Sequence, residues 1–388
     1  MSYLEKLLQG VEVEWKTLGV VCEIKTGQSV SKQMISDNPG VYPVINSGRE
    51  PLGYINEWNT DNDPIGITTR GAGVGSITWQ KGKYFRGNLN YSLTILNDNE
   101  IDCRYLFHLL FYMQSDIHAL CTFQGIPALN AGNLKNLQIP IPPLSVQKEI
   151  VRILDSFTEL TAELTAELTA RKKQYNYYRE KLLSFEGVEV EWKTLGWVGE
   201  VRMCKRIFKN QTSDSGDIPF FKIGTFGKEP DSYISRETFD EYREKYNYPR
   251  VGEVLISASG TIGRSVIFNG EEAYFQDSNI VWLENDESKV LNKYLFYFYQ
   301  VANWNISDGG VIKRLYNDNI KNTQIPIPYP NNPEKSLAEQ ARIVSILDKF
   351  DTLTTSISEG LPKEIELRKK QYEYYRDLLL TFPKNKIE

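Results

Sequence analysis

Two histidines, His108 and His118, and four cysteines, Cys22, Cys103, Cys121 and Cys204, are the side chains best suited to hold a metal or attack a substrate. Their spacing argues against both roles. Cys103, His108, His118 and Cys121 fall on one helical stretch, and four ligands strung along a straight helix cannot converge tetrahedrally. A histidine-led triad would be confined to the first half of the chain, where both histidines lie. The cysteines show no CxxC spacing and read as reduced thiols of a cytoplasmic protein.

Three further patterns imitate catalytic motifs. Gly71–Gly75 (GAGVG) is not GxGxxG, no GK[ST] follows, and Ser76–Trp79 reads as a strand; a tight turn is the better account. Ser259-Gly260-Thr261-Ile262-Gly263 joins two strand-like runs in the same way. Glu14-Trp15-Lys16 and Glu191-Trp192-Lys193 match ExK but lack the upstream Pro-Asp of a nuclease. No NPPY-like methyltransferase loop and no Walker motif occurs. The chain is expected to have no catalytic residue and no metal site.

Chemistry for binding is better represented. A net charge of −5 excludes a bulk-basic nucleic-acid binder, so any such role needs local patches. One stretch between Asp63 and Asp98 has no acid and carries Arg70, Lys81, Lys83, Arg86, Asn88 and Asn90. A second set comprises Arg202, Lys205, Arg206, Lys209, Arg264, Lys313 and Arg314. Phosphate contacts need Lys and Arg, and base edges are read by Arg, Lys, Asn and Gln. These residues are the DNA-binding candidates.

The elements that must position them come in two copies. Gly10–Gly19 (GVEVEWKTLG) returns unchanged as Gly187–Gly196. Asn133–Pro142 returns as Asn319–Pro328, Ile150–Phe157 (IVRILDSF) as Ile343–Phe350, and Arg171–Phe185 (RKKQYNYYREKLLSF) as Arg368–Phe382. The chain is a tandem duplication of a unit of roughly 190 residues. Between these blocks the two halves diverge: one scaffold presents two different heads.

Strands are expected at Ile65–Thr69, Ser76–Trp79, Ser92–Leu96, Val254–Ser257, Ser265–Phe268 and Ile280–Leu283. The IPIP segments must be extended, because a residue before proline avoids the α region. A helix follows each, with Ser145 as a plain N-cap and Ser336 with Glu339 as a capping box. The first runs from about Val146 to Ser184. Its heptad seam includes Ile150, Leu154, Phe157, Tyr175, Tyr178 and Leu182. The second, Leu337–Thr381, should kink at Glu359-Gly360-Leu361-Pro362. No apolar run approaches the ~18 residues of a membrane span, and Met1–Gly10 lacks the apolar core of a leader.

These blocks resemble the specificity (S) subunit of type I restriction-modification systems. The marks are the IPIP-to-helix junction (Leu137–Gln147), IVRILDSF, the three ELTA units of Glu159–Ala170, and RKKQYNYYREKLLSF. The glycine turn followed by Gln276-Asp277 is similar to the family's target-recognition pattern, whereas the first half has Arg86-Gly87-Asn88 there. The resemblance implies an α+β fold with two β-rich target-recognition domains, residues 1–144 and 187–335. Two long antiparallel coiled-coil helices, 145–186 and 336–388, would join them. It also implies that double-stranded DNA is read as a split target and that repeat number goes with spacer length; the divergence of the two heads predicts that this target is non-palindromic. Two modification subunits would dock on the helices, with Arg171, Lys172, Arg368 and Lys369 as candidate contacts. S-adenosylmethionine, ATP and Mg would reside on the modification and restriction subunits, none on this chain. The rival readings are a stand-alone DNA methyltransferase or nuclease, and a coiled-coil tether whose heads bind protein.

Overall fold

The structure is a computed structural model describing residues 3–48, 50–185, 187, 189–304 and 314–383. It divides into two compact units, Met1–Thr165 with Glu364–Glu388, and Ala166–Lys363. Each unit therefore takes one head together with a piece of both long helices. Among the described residues, no helix is long and apolar enough to cross a membrane.

The first unit contains β1 (Glu14–Thr17), β2 (Cys22–Thr26), β3 (Pro39–Ile45), β4 (Tyr54–Ile55), β5 (Ile65–Thr68), β6 (Ile77–Trp79), β7 (Phe85–Arg86), β8 (Asn90–Ile95) and β9 (Gln138–Ile141). An antiparallel sheet runs β2-β8-β5-β6, a second sheet runs β4-β3-β7, and β1 and β9 form a ribbon. The second unit repeats the plan with β10 (Val190–Thr194), β11 (Gly199–Arg202), β12 (Ile218–Phe221), β13 (Tyr233–Ile234), β14 (Val254–Ser257), β15 (Ser265–Ile267), β16 (Tyr274–Phe275), β17 (Ile280–Asn285) and β18 (Gln324–Pro328). Its sheets run β11-β17-β14-β15 and β13-β12-β16, with the ribbon β10-β18.

The ribbons explain why two separated blocks were kept together. EWKT pairs with QIPI in each unit, Trp15 opposite Pro140 and Trp192 opposite Pro326. Proline donates no N–H and survives here because a two-stranded ribbon has free edges. The proline carbonyls are used: Tyr105 donates to the Pro140 carbonyl at 3.0 Å and Tyr294 to that of Pro326 at 2.7 Å. Both tyrosines are buried on the head helices Cys103–Tyr112 and Asn292–Tyr299.

The first long helix spans Leu144–Ser184, 41 residues or about 61 Å at ~1.5 Å per residue. It starts ahead of Ser145, which lies inside the first turn and is no N-cap. In the first unit Ile150 and Leu154 are buried in one cluster with Leu379, Leu380 and Phe382, and Phe157 stacks on Tyr375 at 5.1 Å. In the second, Tyr175 and Leu183 share a cluster with Ile343 and Leu347, and Tyr178 stacks on Phe350 at 5.6 Å. Within each unit the partners run antiparallel, and the aromatic seam residues meet as the heptad reading requires.

Two helix-boundary expectations are corrected. The second long helix starts at Pro333, where the Asn332 side chain accepts from the Lys335 amide at 3.0 Å. Proline at N1 loses no helical hydrogen bond. Ser336 is buried a turn inside, accepting from Gln340 Nε2 at 3.3 Å, so Ser336 and Glu339 form no capping box. The break falls at Ser356–Glu359, between Pro333–Thr355 and Gly360–Leu380. Gly360 has φ +79°, and a Cβ there would run into the Thr352 carbonyl; Pro362 sits in the new first turn, where it costs no bond.

Candidate nucleic-acid interface

In the second head Arg206 and Arg314 meet beside the glycine turn at one end of the main sheet. The turn Gly260–Gly263 joins β14 to β15, and the Ala258 amide donates to the Asn279 carbonyl at 2.7 Å. That bond sets the Asp277–Asn279 turn beside it. Arg314 forms a backbone bridge with Ser259 and donates from Nη2 to the Ser278 carbonyl at 2.7 Å. Arg206 pairs with Asp277 at 2.9 Å while its side chain stays 61% exposed. Ser278 has φ +53°, left-handed backbone held by this packing. Lys205 lies exposed over the Tyr246 ring at 5.0 Å, and Lys209 is exposed in the Lys209–Gln211 turn. Arg264 is half-buried and donates to the Phe226 carbonyl at 3.1 Å, and Arg202 pairs with Glu284 at 2.8 Å. Lys313 lies outside the described residues.

In the first head the corresponding turn spans Gly71–Gly75, with φ +90° and +77° at its ends. Arg70 is exposed there, and the Thr69 amide donates to the Leu89 carbonyl at 2.9 Å, bringing the turn that carries exposed Asn88 alongside. Lys81 and Lys83 are exposed at the opposite end of the β5-β6 pair: Gln80 bonds to Pro64, and Lys83 lies 4.1 Å from the Trp58 ring.

Arg86 and Asn90 are corrections. Their relative exposures are 5% and 0%, so neither belongs to an open reading surface. The reason lies in strand parity. Residues opposite each other in a ladder share a sheet face, which puts Gly66, Thr68, Thr78, Asn90 and Ser92 on one side of the main sheet. The second head has Leu255, Ser257, Val266, Ile280 and Trp282 at those places, and Leu255, Ile280 and Trp282 cluster with Phe220 and Phe275 of the other sheet. The same layer is polar in the first head. Arg86 Nε and Nη1, both amide atoms of Asn90 and the Thr68 hydroxyl are buried there without a protein partner.

Sequence reasoning missed the residues that weld heads to helices. In IVRILDSF and IVSILDKF the aspartate is the anchor. Asp155 accepts from Arg104 Nε and lies 2.8 Å from His108 Nε2; Asp348 accepts from Lys293 and from the Tyr297 hydroxyl, both at 2.6 Å. His108 is fully buried, its Nδ1 3.1 Å from the Tyr372 hydroxyl, and burial pushes its pKa down despite Asp155. Gln147 and Gln340, also buried, accept from the amides of Asp102 and Leu291, the N-cap residues of the head helices, at 2.8 and 2.9 Å. The signal was available in the duplication, since Asp155 recurs as Asp348 and Gln147 as Gln340. Burial pushes the Cys22 and Cys204 thiols up to about 12 and Cys103 to about 11, so all three stay protonated at neutral pH.

On the helices, Arg171 contacts Glu167 and Gln174, and Arg368 repeats this with Glu364 and Gln371. Lys172 and Lys369 are exposed beside them. The duplication thus extends to side-chain geometry.

The model of the type I restriction modification DNA specificity domain matches twice, at residues 10–171 and 187–367. The chain belongs to this family. The two matched stretches of specificity domain start at the two copies of GVEVEWKTLG. A putative type I restriction enzyme specificity subunit of Haemophilus influenzae is 50% identical, with 98% of each chain covered. The EcoR124I/EcoR124II specificity subunit of Escherichia coli is 36% identical over 99% of this chain and 98% of its own. The crystal structure of the S subunit from M. genitalium has the same fold, with a TM-score of 0.61 at 18% identity, covering 99% of this chain and 100% of that one.

Proposed function

We propose that this chain is the non-catalytic DNA-recognition subunit of a cytoplasmic type I restriction-modification complex. Each head reads half of a split, asymmetric target in double-stranded DNA. The observation carrying this is the repeated site: two heads of one topology hold a glycine turn beside exposed arginines, while the residues around the turns differ. Arg70 and Asn88 serve the first head; Lys205, Arg206 and Arg314 serve the second. Family membership and the names of the relatives support the reading.

Two modification subunits dock on the duplicated helices, near Arg171, Lys172, Arg368 and Lys369, and bring S-adenosylmethionine. Restriction subunits bring ATP and Mg. The test is methyl transfer from labelled S-adenosylmethionine, with DNA binding followed against salt. The chain alone should transfer nothing. With its modification subunits it should methylate DNA, and its affinity should fall linearly with salt on a log–log scale. Turnover by the isolated chain, or salt-independent binding, contradicts the proposal.

A further inference from the structure

A loop without a single charge lies beside the first head's glycine turn. Thr122 and Ala128 close it with two backbone bonds, at 2.8 and 3.0 Å. It is pinned to the turn itself: Gly71 donates to the Pro127 carbonyl at 2.9 Å, Leu129 to that of Thr69 at 2.8 Å, and Arg70 bridges to Ala128. At its tip Phe123 and Ile126 are 53% and 65% exposed, with Gln124 and Gly125 exposed between them. Gly125 has φ +89°, which holds the tip in a sharp bend. Phe123 rests one side of its ring on His118, 4.9 Å away, yet both side chains keep more than half of their surface in water, which folding alone does not call for.

The surroundings name the occupant. No Asp or Glu occurs in residues 64–97 or 117–148, the two stretches that meet here. Exposed Asp116, on the short helix whose His118 touches Phe123, is an acid at the edge of these stretches, and Arg70 at the loop's base offsets its charge toward a polyanion. The second head also places an exposed aromatic beside its glycine turn: Tyr316 is 59% exposed, with the Arg314 guanidinium 6.0 Å from its ring. The location is shared and the chemistry differs, as elements that read different sequences require.

We propose that Thr122–Ala128 is a base-contacting element of the first head, resting on the DNA-reading function above. Phe123 and Ile126 enter a groove of the first half-site and make apolar contact with the bases, and Gln124 offers its amide to a base edge. Phosphates are left to Arg70.

The experiment uses the chain assembled with its modification subunits, and duplexes carrying the target found by methylation mapping. Each duplex is intact, scrambled in the first half-site, or scrambled in the second. The variants are Phe123→Ala/Ile126→Ala and Arg70→Ala. The loop variant should lose roughly ten-fold or more of its first-half discrimination, the scale of one lost base contact. Its second-half discrimination, which also reports folding, and its salt slope should stay unchanged. Arg70→Ala should lower the salt slope by about one while keeping discrimination. Wild-type discrimination by the loop variant overturns the proposal. So does loss of assembly with the modification subunits, which would make the loop a protein contact. If the wild-type complex ignores scrambling of either half, the DNA-reading function itself falls, a result distinct from failure of the loop.

Discussion

Arg86 and Arg70 show how one sheet sorts two similar side chains into different roles. Arg70 leaves the end of β5 into solvent, whereas Arg86 is buried with two guanidinium nitrogens lacking a protein partner. Tyr84 lies beside it, but a buried guanidinium left with two unpaired nitrogens destabilises. Arg86→Met should therefore leave DNA affinity unchanged and keep the melting temperature equal or higher, as competition binding and calorimetry would show. A loss of affinity matching that of Arg70→Ala would return Arg86 to the reading surface. His108 carries a second residue-scale consequence. Its folded pKa lies below the ordinary histidine value of 6.5 because it is buried, with Asp155, Arg104 and Tyr372 around it. The unfolded chain thus takes up the proton first as pH falls. The stability His108 gives is complete above about pH 6.5 and is lost below it. The second unit has Tyr297 in this place, its phenol held far above neutrality by burial and Asp348. His108→Tyr should flatten the loss of urea stability between pH 7 and 5, and an unchanged slope would show that His108 does not set it.

Three strands of each main sheet, β5, β6 and β8 with β14, β15 and β17, were legible because β-branched and aromatic runs alternate with glycine turns, and the helical seam because apolar residues recur at three and four; β2, β11 and the second sheet of each head were not. What could not be read locally was pairing and parity. EWKT and QIPI are far apart in sequence, so their ribbon needs the folded chain. The first head's interlayer is polar, so polarity there signals the interior and Arg86 was misplaced. Ser336 and Glu339 imitated a capping box that Asn332 and Pro333 pre-empt. Phe123 and Ile126 carry no charge or motif that marks them in the sequence. The helices carry two predictions of their own. Charge reversal at Lys172 and Lys369 should weaken assembly with the modification subunit more than it lowers the melting temperature; unchanged assembly of the folded double variant would move the docking site elsewhere. Deleting Glu163–Ala166, one ELTA unit, removes about 6 Å of helix at ~1.5 Å per residue, against a DNA rise of ~3.4 Å per base pair. Methylation mapping should then show the same half-sites separated by one or two fewer base pairs. An active complex keeping the original gap would show that this helix does not set the spacing.

For the whole molecule, duplication kept the parts that must be equivalent and released the parts that must differ. The ribbon, the tyrosine-to-proline-carbonyl bond, the aspartate anchor and the Glu-Arg-Gln helix set recur in both units. The interlayers and the residues around the glycine turns do not. Equivalent frames suit two copies of one partner, and unlike heads suit two unlike half-sites. The measurement that tests this most directly is a genome-wide map of methylated positions in a host expressing this chain with its modification subunit. The account predicts one motif made of two unlike sequence blocks separated by an unread gap of fixed length. A palindromic motif, or a single uninterrupted block, would contradict it.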